Sequence, residues 1–144
     1  MTVEGEGPAQ SRARLLALRA RWPRELVLSR FDGTRWRLAC VRETGGPRRL
    51  LPGSGGHDRH PSVSADGSLV LFASDRGGIW EVPWDGSTPA RPLAGLPPGA
   101  CEPACAPQGT RLAFTAPAQE GRPQVFVGDR LSGGWRQLPQ GPGA

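Results

Sequence analysis

The sequence predicts an all-β fold of short antiparallel strands built from a repeated unit, and three observations carry that expectation. The 21 Gly and 16 Pro among 144 residues punctuate short apolar runs, as turns do between many strands. Five Trp and four Phe provide the large apolar side chains that a disordered chain lacks. Finally, the chain matches itself at a fixed interval: Pro61 and Pro103 lie 42 residues apart, as do Gly67 and Gly109, and Phe72 and Phe114. A chain of this length makes one domain with a modest core.

The elements follow in order. Residues 1–8 carry no periodic signal and are expected to be disordered. Residues 9–22 are rich in Ala, Leu and Arg and stop at Pro23, which predicts a short amphipathic helix. Leu15, Leu18 and Trp22 share one face of it, and Arg12, Arg14, Arg19 and Arg21 cover the rest. Such a helix can cap an apolar sheet, or dock its arginines, Arg12 and Arg19 among them, and Trp22 on an acidic partner.

Three units are expected over residues 25–140, at about 25–52, 57–95 and 100–140, followed by a tail at 141–144. The second unit shows the pattern best. Pro61 opens a strand, Asp66-Gly67 makes a hairpin turn, and Leu69–Ala73 forms a strand that is apolar on both faces. That strand belongs between two neighbouring sheets. Ile79–Val82 is a third strand, matched by Gln124–Val127 in the third unit. Each unit closes on Arg-x-Leu, at Arg48-Arg49-Leu50, Arg91-Pro92-Leu93 and Arg136-Gln137-Leu138. The first unit supplies only three strands, so eleven are expected in all. Repeats of this length with up to four strands are propeller blades.

The stretch from Ser62 to Gly86 resembles the TolB-type (WD40-like) propeller repeat. Pro61, Ser64, Asp66, Gly67, Phe72, Ser74, Asp75, Arg76 and Gly78 fall on its pattern, with Ala65 in place of the usual Pro. The third unit keeps Pro103, Gly109 and Phe114 but has Gln108 where the pattern has Asp, and the first keeps Ser29–Gly33. The resemblance covers about residues 25–140. It implies three blades of antiparallel sheet, half of a six-bladed ring, preceded by the short N-terminal helix. It also implies a protein-binding scaffold, completed by a second copy or by a partner protein. One alternative is an accessory propeller fragment of a prolyl-oligopeptidase-like hydrolase.

The chemistry-bearing residues are few. His57 and His60 flank Asp58 in a Gly-rich loop, a spacing that is no dedicated metal motif, and they are candidates for partner contact near a central channel. Cys101 and Cys105 form C-x3-C without a second pair or a nearby His. With Cys40, the cysteines leave open either one disulfide and a free thiol or three reduced thiols. No G-x-S-x-G elbow and no phosphate-binding loop occur, so no enzyme activity, metal or cofactor is expected. All 18 basic residues are Arg and the formal charge is +5. They are scattered, whereas nucleic-acid binding needs a clustered face, so that reading ranks last. The opening residues lack the long apolar run of a secretory signal, and a cytoplasmic location is expected, or a periplasmic one for a fragment or a mis-started frame.

Overall fold

A computed structural model describes residues 25–139. The expected helix at 9–22, with Arg12, Arg19 and Trp22, lies outside the described residues, as do the ends of the chain.

Among the described residues, eleven strands form three antiparallel sheets. The first sheet is β1 (Glu25–Phe31), β2 (Trp36–Arg42) and β3 (Arg49–Leu50). The second is β4 (Asp58–Val63), β5 (Leu69–Ser74), β6 (Ile79–Pro83) and β7 (Arg91–Pro92). The third is β8 (Cys101–Cys105), β9 (Arg111–Pro117), β10 (Pro123–Asp129) and β11 (Gly133–Gln137), with a short 3-10 turn at Gln119–Gly121. Within each sheet consecutive strands are neighbours, which is the meander of a propeller blade. The expected count of three, four and four strands is what the described residues contain.

The alternation along each strand decides how the sheets stack. On β5, Val70 and Phe72 point toward the first sheet and meet Leu38, Cys40 and Leu51, with Val82 of β6 beside them. Leu71 points the opposite way and joins Ile79 in a second core with Leu112, Phe114 and Ala116. The second sheet is thus buried on both faces, and Val70, Leu71 and Phe72 are all fully buried. Phe114 anchors the second core, stacked on Phe126 at 5.6 Å and edge-on to Trp135 at 5.1 Å. Rings at these separations gain contact energy beyond their buried area.

The inner strands depart from the expectation in one respect. They do not start at Pro61 and Pro103 but earlier, at Asp58 and Cys101. Each carries a bulge just before its proline, between Arg59 and Ser62 on β4 and between Cys101 and Ala104 on β8. Proline has no N–H to give the ladder, and the bulge lets the strand pass through it. The residues before the prolines, His60 and Glu102, take left-handed φ values of +54° and +53°.

Hairpin chemistry follows the residue types. Gly67 adopts φ +75°, and Asp66 accepts hydrogen bonds from the Ser68 N–H and from the Ser64 and Ser68 hydroxyls, all within 3.0 Å. These donors hold the Asp66 carboxyl down at about 2.

Candidate functional site

A cleft of about 510 Å³ opens between the second and third sheets, where the chain enters β4. His57, Arg59 and His60 line one side and Ala100 and Cys101 the other, with Ala73 also in its wall. The two histidines singled out from the sequence are therefore brought together. Arg59 and Cys101 were not anticipated. Only the bulge, which sets the strand's facing around Pro61, places them there, and the X-Pro pairs repeated 42 residues apart were its trace in the sequence.

The residues behind the cleft explain its rigidity. The His57 N–H donates to Asp75 Oδ1 at 2.7 Å, and the Asp75 N–H donates back to the His57 carbonyl at 3.2 Å. The Trp36 N–H of the first sheet donates to His57 Nδ1 at 3.1 Å, so that nitrogen acts as an acceptor and ties two sheets together. Arg59 lies over the Trp36 ring, 5.1 Å from its centroid, a cation–π contact. Beneath this layer, Asp58 is buried at 2% exposure. Its carboxylate accepts from the Ser54 hydroxyl and, at 3.2 Å, from the Ser54 N–H, and Ser54 in turn meets the Ser74 hydroxyl at 2.7 Å. Arg76 closes the loop by donating to the Ser54 carbonyl at 2.9 Å. Pattern residues Asp75 and Arg76 are thus clamps on the 51–57 loop. The remaining pattern residues, Pro61, Asp66, Gly67, Phe72, Pro103, Gly109 and Phe114, sit at bulges, turns and cores.

Among the described residues no group of three or more His, Cys, Asp or Glu is placed to hold a metal ion. Several arginines have internal partners: Arg35 donates to the Gly55 carbonyl, Arg49 to the Trp84 carbonyl and to Glu25, and Arg91 to Glu81. The three cysteines are unpaired, Cys40 buried and Cys101 and Cys105 half-buried. Burial raises the Cys40 and Cys105 thiols above the ordinary value.

The second feature is the pair of sheet faces at the two ends of the stack. By strand register, Leu26 pairs with Val41 and Leu28 with Ala39 on the first sheet, on the face turned away from the second. Leu50, paired with Ala39, extends it. On the third sheet, Ala113 pairs with Val127 and Thr115 with Val125, again on the outer face. Leu26 is 63% exposed, Leu50 50% and Val125 43%, whereas Ala39, between Leu28 and Leu50, is fully buried. Among the described residues no helix is long and apolar enough to cross a membrane.

No protein-family model and no curated protein matches this sequence. Solved structures do. A protein described as TolB from Agrobacterium tumefaciens aligns with a TM-score of 0.69 at 20% identity, over 79% of this chain and 44% of that one. TolB from Acinetobacter baumannii aligns with a TM-score of 0.67 at 16% identity, over 80% of this chain and 29% of that one. A nidogen/laminin complex gives 0.59 at 16% identity, over 83% and 50%. The chain spans no more than half the length of these neighbours. With three antiparallel sheets stacked face to face and these neighbours beside them, the chain has the fold of three blades of a TolB-like β-propeller.

Proposed function

We propose that the chain is a non-catalytic β-propeller scaffold for protein–protein interaction, with exposed apolar residues of its first and third sheets among its contacts. One observation carries this reading: Leu26 and Leu50 on the first sheet and Val125 on the third stand exposed, whereas the faces between the sheets are packed. Leu26 is 63% exposed, whereas Val70 and Leu112, at the corresponding place on the next two sheets, are 0% and 1% exposed. Exposed apolar surface of this kind marks interaction sites. The cleft around His57, Arg59 and His60, which Asp75 also lines, is a second contact point with both a guanidinium and a carboxylate to offer a partner. Three free thiols fit a reducing compartment such as the cytoplasm.

Site-specific photo-crosslinking in cells tests the reading. A crosslinker at Leu26 or Val125 is expected to give protein adducts, and one at the exposed Ser87 turn none. Equal yields from all three positions would refute it.

A further inference from the structure

We infer that the cleft between the second and third sheets is a binding site for a free aliphatic α-amino acid, held as its zwitterion between Arg59 and Asp75. Leu26, Leu50 and Val125, which carry the scaffold reading, do not line this cleft. The inference therefore goes beyond that reading and does not depend on it.

Size and wall composition agree with a ligand of this class. A volume of about 510 Å³ lies inside the range of small-molecule pockets, about 300–1,000 Å³. Such pockets are mostly apolar, with a few placed polar groups. Ala73, Ala100 and Cys101 supply small apolar neighbours for an aliphatic side chain, and Gly77 and Gly78 add wall without bulk.

The polar groups are held in place by the protein itself. The Arg59 guanidinium lies over the Trp36 ring. Asp75 is tied to the His57 backbone through both its Oδ1 and its own N–H. Because Trp36 donates to His57 Nδ1, the ring hydrogen sits on Nε2, a second donor in the wall that holds Arg59. On the glycine side, the Gly77 N–H donates to the Ser74 carbonyl at 3.1 Å and the Gly77 carbonyl accepts from Trp80 Nε1 at 3.0 Å. Groups fixed in this way lose little freedom when a ligand binds.

Charge decides the class of ligand. Arg59 and Asp75 line one cleft, yet among the described residues neither forms an ion pair, with the other or with a third group. Asp75 Oδ1 takes the His57 N–H, and among the described residues no side chain donates to Oδ2. A ligand with only a carboxylate meets Asp75 as a like charge, and one with only an ammonium meets Arg59 in the same way, which is unfavourable. A zwitterion answers both. Its carboxylate accepts from the Arg59 fork, its ammonium donates to Asp75, and its side chain lies against Ala73 and Ala100.

The test uses the full chain and L-leucine as the probe. Isothermal titration is expected to show one site per chain with a dissociation constant on the order of 0.1 mM. Isocaproate, which lacks the ammonium, and L-leucinamide, which lacks the carboxylate, should each bind about tenfold more weakly or worse, as read by ligand-observed NMR. Arg59→Gln should weaken leucine about tenfold and leave leucinamide unchanged. Asp75→Asn keeps the acceptor for the His57 N–H; it should weaken leucine to a similar extent and leave isocaproate no weaker. A merely structural loss of the cleft weakens every ligand alike, so that pattern overturns the inference, with circular dichroism checking that each variant keeps its sheet content. Absence of leucine binding at about 10 mM overturns it too. Equal affinity for isocaproate or leucinamide overturns it in favour of a site for a single charge. Equal affinity for N-acetyl-L-leucinamide, blocked at both ends, overturns it in favour of a partner's peptide segment. The scaffold reading fails separately, by the absence of any crosslink from Leu26 and Val125.

Discussion

His60 and Glu102 occupy the same place in successive blades and share the same left-handed backbone, at φ +54° and +53°, each directly before a proline. Neither is glycine, so each bears a steric cost that the surrounding sheet imposes. Each stands within the bulge of its inner strand, between Arg59 and Ser62 on β4 and between Cys101 and Ala104 on β8.

That cost predicts the response to substitution. His60→Val should destabilise the fold by about 1–2 kcal/mol, because a β-branched side chain is least tolerant of left-handed φ. His60→Gly should be at least as stable as the parent, because glycine accepts this conformation. Urea denaturation midpoints check the pair, and a valine variant as stable as the glycine variant would contradict the strain.

The loop over the first seam depends on one buried carboxylate. Asp58 accepts from Ser54 through both its N–H and its hydroxyl, and its own backbone carbonyl accepts from Ser29 at 2.6 Å. Asp58→Ala should cost about 2–4 kcal/mol, since it strands buried donors that have no route to water. Gly53→Ala is expected to do similar damage from the other side: its new Cβ collides with the Asp58 carboxylate. If thermal unfolding showed Gly53→Ala unchanged, the loop would be looser than the geometry describes.

Thiol chemistry offers a check on the packing. Cys40 is 1% exposed in the first core, and burial pushes its thiol up, with Glu25 adding to the effect against Arg49. Only the thiolate reacts with alkylating reagents, so native Cys40 should be modified far more slowly than in urea. Mass spectrometry of iodoacetamide adducts reads the ratio. Equal rates in the two conditions would mean that the first sheet does not seal this core.

The blade order and the cores were legible because local signals agree with the global fold at those places. Phe72 and Phe114 recur at a fixed interval and each ends up as the centre of a core. A strand apolar on both faces, Leu69–Ala73, could only sit between two sheets, and it does. What escaped was the facing of the inner strands. A bulge changes which side chains point where without altering the apolar pattern, so Arg59 and Cys101 gave no sign of lining a cleft. The partnership of Asp58 with Ser54 and Ser74 was equally hidden, because it joins residues that only the blade brings together.

Acid stability should report on a single turn. Asp66 is held near 2 by the Ser68 N–H first, then by the Ser64 and Ser68 hydroxyls. In the unfolded chain these donors disperse and the carboxyl returns to its ordinary value near 3.8. Because the folded value is the lower one, the unfolded state binds the proton more readily, and the contribution to stability is full above the unfolded value. It is lost as pH falls from about 4 toward 2. Asp66→Asn keeps the turn's side-chain acceptor but removes the titration, so its stability should vary less with pH across that window than the parent's. The third blade supplies an internal comparison, for Gln108 stands where Asp66 does and cannot titrate. Gln108→Glu should therefore leave the acid slope close to the parent's, because a longer side chain does not reproduce the short Asp turn. Denaturation midpoints measured at intervals from pH 5 to pH 2 would decide the matter. An unchanged slope in Asp66→Asn would mean that the three donors seen around Asp66 persist in the unfolded chain or do not act on its carboxylate.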